Sequence, residues 1–260
     1  MDNSDKSLLG HKGLATPINV RKYLRQIKRD PLEPLLRELE DTNRVVLQTE
    51  FSRYRETYHF YYLCIERFLG EMSLAVRWSK GPYWTRRTGG KYTPGERKLA
   101  TEYNMIARFL EFDFFNCLLY ARMLLDRTVS LSRHFLKGKE LPSFTSLNEH
   151  KKFFQRQTRP YGDHEEYAVY IREKTDWFDM PLKIVRDKYL VHSGPNHMRV
   201  FGYPGGHHEL GLSILIPAGP NPIDKPLERV TVIVVSIPEL SRDIADFLAW
   251  FCNYGIKTSR

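Results

Sequence analysis

The sequence has few of the features that place a protein in a membrane or in an oxidising compartment. It contains only three cysteines, Cys64, Cys117 and Cys252, which are odd in number, far apart and set in helical apolar patterns. Such a pattern is typical of reduced core cysteines, so we expect a cytoplasmic protein. No apolar run approaches the ~20 residues of a membrane span. The first seven residues lack a basic region followed by an apolar one, so no secretory signal is predicted.

Several motifs of common enzyme classes are also missing. No glycine-rich phosphate loop precedes a helix and no Gly-x-Ser-x-Gly elbow occurs, which excludes the dinucleotide, P-loop and serine-hydrolase interpretations. His197, His207 and His208, with Glu209, raise the hypothesis of a metal site. Their spacing matches no zinc pattern and no paired cysteines accompany them, which favours exposed histidines on a hairpin. We therefore predict neither a metal nor another cofactor.

What the sequence does carry is positive charge and long helical patterns. The formal net charge is +9, which indicates a polyanionic partner, with nucleic acid favoured over a membrane because no basic amphipathic anchor stands out. Apolar residues repeat every three or four positions over 50–79 and again over 96–137, which predicts two long helices. An unbroken second helix would be about 60 Å long, so we expect a kink in it or a projecting end.

The period changes near the C-terminus. Residues 197–203, 210–217 and 230–236 are rich in valine and isoleucine and predict three short strands. Ser236 and Glu239 form a capping box that begins a last helix, predicted to run to Tyr254 and to end at Gly255. The predicted fold class is therefore mostly α: a helical bundle with a small three-stranded antiparallel β insertion before the C-terminal helix.

The number of domains is predicted from two further observations: the sequence shows no internal repeat and no clear linker. Three strands are too few to form a domain of their own, so we predict one domain. Its parts are a flexible segment, a helical bundle, a β insertion and a C-terminal helix, at residues 1–15, 16–194, 196–236 and 237–255 respectively.

One segment, residues 182–194, combines packing with chemistry. It is predicted to be the end of a helix that Asp179 caps and that stops at Gly194-Pro195. Its apolar residues fall on two faces, which indicates a helix packed on both sides, and Arg186 and His192 flank one of them. The spacing of this pair is common in the chain, and one alternative is that the two residues only form hydrogen bonds at a helix interface. Pairs with similar spacing are Arg53…His59, Arg127…His134 and Arg159…His164.

The nonapeptide Arg186-Asp-Lys-Tyr-Leu-Val-His192-Ser-Gly resembles the signature of the HEPN superfamily, the higher eukaryotes and prokaryotes nucleotide-binding domain. A looser similarity joins residues 116–126 to an earlier core helix of that family. The resemblance implies an HEPN-like bundle and a metal-independent endoribonuclease, in which two motif helices meet across a homodimer. It also implies a setting in toxin–antitoxin systems or antiphage defence, with RNA as substrate and an antitoxin or regulatory protein as a further partner.

The resemblance assigns roles to three residues. His192 would act as general base or acid at the ribose 2′-hydroxyl and the leaving 5′-oxygen, and Arg186 would hold the scissile phosphate. Asp187 matches the polar position after the arginine, where it would orient a side chain or the substrate. The alternative is a non-catalytic HEPN module that binds RNA, a nucleotide or a protein partner, and a third possibility is a purely structural helical dimer.

Two further groups of residues qualify as candidates. Trp84, Arg86, Arg87 and Lys91 lie in a glycine- and proline-rich stretch predicted to be a loop, where they would stack bases and follow phosphates of single-stranded RNA. The alternative is an ordinary bundle loop with Trp84 on the core and solvated arginines. Arg122 and Asp126 are four residues apart on the second long helix, where a simple ion pair is expected.

Overall fold

The protein is described from a computed structural model of the chain. It describes a helical body and three short backbone segments that lie between residues 199 and 235. The described residues are 20–42, 48–136, 144–155, 164–179, 182–183, 199–202, 211–217 and 230–259.

Two short helices begin the described chain. Helix α1 runs over Val20–Ile27 and helix α2 over Glu33–Thr42. Both are tied to the next helix by polar contacts. The guanidinium of Arg55 bonds the carboxylates of Glu33 and Glu40, at 3.0 and 2.7 Å, and the Tyr58 hydroxyl donates to the carbonyl of Ile27 at 2.8 Å.

The centre of the fold is an antiparallel pair of long helices, α3 (Gln48–Lys80) and α5 (Pro94–Ser130). The two predicted apolar stripes are confirmed, because their residues face each other in one core. Ile65, Phe68, Phe114 and Leu124 in this core are fully buried. Since each helix turns one apolar stripe toward the other, removing this area from water stabilises the pair.

Helix α5 is shorter than the continuous pattern predicted. It begins with a capping box, in which the Thr93 hydroxyl accepts from the Glu96 amide and the Glu96 carboxylate accepts from the Thr93 amide. It ends at Ser130 and tightens into a 3₁₀ turn over Leu131–His134. The apolar spacing of three and four continues through this turn, so periodicity alone does not reveal where the α-helix stops.

The stretch predicted to be a loop between the long helices contains a short helix, α4 (Pro82–Arg87). Pro82 occupies the first position of this helix, where its missing N–H costs nothing. Gly89 then adopts φ +75°, and the amides of Gly90 and Gly89 return to the carbonyls of Thr85 and Arg86. This is a Schellman C-cap, so the glycines end a helix here and do not indicate an open loop.

Three further helices and a second 3₁₀ turn follow in the described chain. Helix α6 runs over Leu147–Phe154, α7 over Glu165–Lys174, a 3₁₀ turn over Asp176–Phe178, and α8 over Ile237–Ser259. Gly255 was predicted to end α8 but lies inside it. A β-carbon there would approach a Leu35 methyl carbon to 2.6 Å, so the glycine permits α8 to contact α2 closely.

The predicted fold class needs a correction at the β insertion. The helical body, which excludes the extended segments between α7 and α8, is 87% helical and contains no β-strand, so this body is all-α and the predicted three-stranded insertion is not part of it. Between α7 and α8 the backbone alone is extended over Arg199–Gly202 (β1), Gly211–Pro217 (β2) and Val230–Ser236 (β3), in antiparallel order β1-β2-β3. In this pairing Val200 is opposite Ile214, and Ile214 is opposite Ile233.

The physical reason for the correction is that β-branched composition indicates extended backbone but not a place in the core. The buried core of the described residues is built by helices and the turns that join them. Helix α8, which follows the extended segments in the chain, completes this core. None of the described helices is long and apolar enough to cross a membrane.

Candidate functional site

The residues that the sequence singles out for catalysis lie outside the described part of the chain. Arg186, Asp187 and His192 are among them, as are His197, His207, His208 and Glu209. The structure does describe the residues directly before the motif, up to Leu182 and Lys183. The candidate site is therefore characterised by the helical surface from which the motif segment begins.

That segment starts from a buried aromatic ring between two cations. Phe178 is fully buried at the end of the 3₁₀ turn. The Arg122 guanidinium carbon lies 4.5 Å from its ring centroid, and the Lys151 ammonium lies 5.7 Å from it. Cations over an aromatic ring are attracted by its π electrons, and burial strengthens this attraction. We call Phe178, Arg122, Asp126, Lys151 and Asp179 the anchor cluster.

Each cation of the anchor cluster has an acidic partner. Arg122 bonds Asp126 at 3.0 Å, which confirms the predicted ion pair. The second oxygen of Asp126 accepts from the Leu147 amide at 2.8 Å, at the first residue of α6. This contact satisfies one of the unpaired amides at a helix start, so the same carboxylate joins α5 to α6.

Lys151 fixes the start of the motif segment from the other side. Its ammonium donates to the carbonyl of Thr175 at 2.8 Å and to the Asp179 carboxylate at 3.0 Å. Asp179 was predicted to be an N-cap but has right-handed helical angles, φ −69° and ψ −40°. Its carboxylate faces Lys151 and, at 3.8 Å, Lys183 instead of a helix amide. Leu182 follows, fully buried in the same core.

The predicted RNA-binding stretch is placed at the α3–α5 end of the molecule. Arg86 lies on α4 and Lys91 follows it, and both are exposed. Trp84 and Arg87 belong to the same short helix, and nothing is described of their side chains. The four residues therefore share one helix and its C-terminal turn, with two exposed cations among the side chains that are described.

The structure also shows a surface that the sequence interpretation missed. Six large apolar side chains on the α3–α5 pair are 40–63% exposed, and we call them the apolar face: Phe60, Leu63, Met105, Phe109, Phe112 and Leu119. Phe60 contacts Tyr120 of the neighbouring helix, with ring centroids 5.6 Å apart. The exposed apolar residues of α3 therefore adjoin α5 next to Leu119.

The sequence held a signal for the apolar face. On α5 the positions 105, 109, 112, 116, 119 and 123 alternate steps of four and three, which is the spacing of a coiled-coil seam. They are occupied by Met, Phe, Phe, Asn, Leu and Met. The stripe that packs on α3, at Leu110, Phe114 and Cys117, lies on another side of the helix and hid this second stripe.

No group of three or more His, Cys, Asp or Glu side chains suited to a metal ion occurs among the residues that the structure describes. Among the histidines, His150 is fully buried, and burial lowers its pKa to about 3, so it is a neutral core residue that bonds the Tyr167 hydroxyl at 2.7 Å.

No protein-family model matches the chain, and comparisons with curated proteins and with solved structures find no similar protein.

Proposed function

We propose that the chain is a metal-independent endoribonuclease of HEPN type whose active site is completed by a second copy. The observation that carries this proposal is the sequence Arg186-Asp-Lys-Tyr-Leu-Val-His192, which begins four residues after Leu182. An all-helical body and a firm attachment at the anchor cluster support it, because catalytic groups act best on a segment held in place by rigid elements.

The chemistry follows from the residue types. An imidazole with an ordinary pKa near neutrality exchanges protons with a ribose hydroxyl, so His192 serves as general base or acid. Arg186 remains cationic at all relevant pH values, and its planar guanidinium binds a phosphate through two parallel hydrogen bonds. Asp187 orients one of these groups. No step requires a metal ion, since proton transfer and charge stabilisation are supplied by side chains.

The need for a second copy follows from helical geometry. On the predicted helix, six residues advance ~9 Å and rotate about 240°, so Arg186 and His192 of one chain would lie on different sides of it. Two facing copies bring one chain's arginine near the other's histidine. The proposed enzyme is therefore a homodimer.

The apolar face is the surface that we assign to this second copy. Its exposed side chains amount to roughly 500 Å² of apolar area. One partner of a standard interface contributes about 800 Å², of which roughly 65% is apolar in homodimers, so the face supplies what a stable dimer needs. The seam positions on α5 include Asn116 between apolar residues. A single buried asparagine at such a position sets the register of paired helices, which favours another copy of α5 as the occupant.

Cleavage of single-stranded RNA in EDTA tests the catalytic proposal. The wild-type chain is expected to cut, and His192→Ala is expected to slow cutting by about 10²- to 10⁴-fold because proton transfer is lost. Arg186→Ala should be similarly impaired. The chain offers a matched control in Arg53 and His59, which have the same spacing and are exposed on α3. Alanine at both control positions should leave the rate unchanged.

The outcomes of this assay separate the alternatives. Cutting that survives both Arg186→Ala and His192→Ala would exclude this site, and cutting abolished by EDTA would contradict a metal-free mechanism. Binding of RNA without cutting, with an affinity that falls as salt is raised, would assign the chain as a non-catalytic binding module instead.

The dimer has its own test in Phe112→Glu, measured by light scattering during gel filtration. A charge on the 59% exposed Phe112 should prevent association without disturbing the core, because this side chain already faces solvent in one copy. The variant should be monomeric and should cut RNA more slowly at equal concentration. Glu173→Gln on α7, away from the apolar face, is the control. A monomer that cuts at the wild-type rate would disprove the composite site.

A further inference from the structure

A second candidate site lies at the end of the α3–α5 pair, beside α4. An open cavity of about 330 Å³ occurs there, at the lower end of the range for small-ligand pockets. The side chains that define its chemistry are Trp78, Tyr92, Arg86 and Asn104. The described residues that line it belong to α3, α4, α5 and the turn between α4 and α5, and neither Leu182 nor Lys183 is among them.

One wall of this cavity is the turn between α4 and α5, and hydrogen bonds hold this turn at both of its ends. The Schellman cap fixes Gly89 and Gly90, both of which line the cavity, against the carbonyls of α4. The Thr85 hydroxyl then bonds the Glu96 carboxylate at 2.5 Å, and the same carboxylate accepts from the Thr93 amide at 2.9 Å. One acidic side chain therefore connects the end of α4 to the start of α5. A site fixed in this way loses little entropy when a ligand binds.

The aromatic side of the cavity is equally fixed. The Trp78 indole stacks on the Tyr103 ring, with centroids 4.1 Å and planes 11° apart, and Tyr83 packs against it at 5.3 Å. These contacts hold the indole in one orientation at the cavity wall. Tyr92, partly exposed, lines the cavity as well. Fixed aromatic rings are the surfaces on which proteins stack unpaired nucleobases.

The polar groups complete a recognisable chemistry. Asn104 is exposed on α5, and its amide offers both a donor and an acceptor, as the hydrogen-bonding edge of a base requires. Arg86 is exposed on α4 and carries the cation that a phosphate needs. No carboxylate is among the described residues that line the cavity. A planar base with an attached phosphate matches this set better than a cationic or a purely apolar ligand.

We propose that this cavity binds one nucleotide, with the base against Trp78 and Tyr92, its edge at Asn104 and its phosphate at Arg86. The nucleotide is either free or one residue of single-stranded RNA, since both present the same chemistry. The site stands on its own geometry and does not depend on the endoribonuclease proposal.

Binding of adenosine, AMP and a fluorescein-labelled single-stranded oligoadenylate of roughly ten nucleotides tests the site. The measurements use the chain with Arg186→Ala and His192→Ala, so that RNA is not consumed. AMP should bind about tenfold more tightly than adenosine, because its phosphate bonds a cation. Arg86→Glu should abolish this difference in affinity. Asn104→Leu should lower the affinities for AMP and for adenosine equally, each by about tenfold.

Arg97→Glu provides the matched control. It makes the same change of charge at an exposed residue on the first turn of α5, outside the cavity lining. It should alter the affinity for AMP by less than about twofold. Any change that it causes in RNA affinity measures the loss of general attraction between the basic chain and the phosphates. Thermal unfolding of each variant checks that the fold is kept; should Asn104→Leu unfold the chain, Tyr92→Ala replaces it as the second cavity variant.

The outcomes distinguish the source of the nucleotide and the fate of the proposal. If the cavity variants Arg86→Glu and Asn104→Leu lose AMP binding but keep RNA binding, the natural ligand is a free nucleotide. If they lose only RNA binding, the ligand is one residue of RNA. Absence of binding to all three probes would overturn the proposal, as would equal effects of Arg86→Glu and Arg97→Glu. The binding measurements already use the Arg186→Ala, His192→Ala chain, so they do not depend on whether the protein cleaves RNA. The cavity proposal and the endoribonuclease proposal can therefore fail separately.

Discussion

Two clusters of charged side chains are buried along α5, and they differ in how their charges are matched. In the anchor cluster, toward the C-terminal end of α5, Arg122 pairs with Asp126 and Lys151 pairs with Asp179, both at 3.0 Å. Each buried cation there has its own carboxylate. Such matching offsets the large cost of taking charges out of water.

The second cluster, which joins α3 to the middle of α5, holds two carboxylates against one cation. Arg67 contacts Asp113 at 2.6 Å and Glu71 at 3.4 Å, and its side chain is about half exposed. Burial and the neighbouring Asp113 carboxylate together raise the pKa of Glu71 to about 7, although the Arg67 cation lowers it. Two carboxyl groups this close do not both ionise readily near neutrality.

The difference indicates what each cluster does. The matched cluster holds the start of the motif segment through paired charges. The unmatched cluster adjoins the apolar face, with Asp113 next to Phe112 in the chain and Arg67 5.5 Å from the Phe109 ring. Its charge therefore changes near neutral pH beside the surface that we assign to the second copy.

The largest expected effect comes from breaking the matched cluster. Asp126→Ala removes the carboxylate from Arg122, whose side chain is only 4% exposed, and also removes the contact to the start of α6. Loss of one partner of a buried pair is strongly destabilising, so the free energy of unfolding should fall by about 3 kcal/mol. Urea unfolding at neutral pH measures the change.

The control for this variant is an exposed ion pair in the same region. Lys183→Ala removes the contact to Asp179 at 3.8 Å, where both side chains are about 40% exposed. Surface pairs contribute little, so the free energy of unfolding should change by less than ~0.5 kcal/mol. Equal effects of Asp126→Ala and Lys183→Ala would show that the anchor cluster is not held by its buried charges.

The smaller expected effect comes from Glu71→Gln, and it depends on pH. The folded pKa of Glu71 is about 7 and its ordinary value is 4.5, so the folded state retains a proton that the unfolded state releases. Stability from this group is present below pH 4.5 and is lost as the pH rises toward 7. Glutamine keeps the shape without the charge, so the variant should be about 1 kcal/mol more stable than wild type at pH 8.

The pH profile decides this prediction. Thermal unfolding should show the two proteins converging as the pH falls from 8 to 4.5, because wild-type Glu71 becomes protonated over that interval. Glu66→Gln, an exposed position one turn earlier on α3, is the control and should show no such convergence. A difference that is constant with pH would mean that Glu71 does not titrate in this interval.

Much of the helical body was predictable because its signals are local. The apolar periods of α3 and α5, the capping box at Thr93 and the Ser236 hydroxyl that accepts from the Glu239 amide depend on residues within one or two turns. Errors arose where a local signal has two structural meanings. Gly255 packs α8 on Leu35 instead of ending the helix, and Gly89 ends a helix where an open loop was predicted.

The surroundings of the candidate sites were much less predictable. Arg122 and Asp126 were expected to pair because they are four residues apart, but nothing in the sequence joins them to Lys151 or Phe178. The same holds for Trp78 and Arg86, which meet Asn104 at one cavity only because α3, α4 and α5 converge there. Such groupings depend on contacts between residues far apart in the chain.

The helical periods, the positive charge and the Arg186–His192 motif could be found without a structure, because each depends on the residue types at known spacings in the chain. The folded molecule was needed to show which charges are buried together, which apolar stripe of α5 stays exposed and where the cavity beside α4 lies. Burial and charge pairing could not be found from spacing because they depend on the packing of whole helices. Spacing along one helix describes its faces, and only the neighbouring helices decide which face meets water.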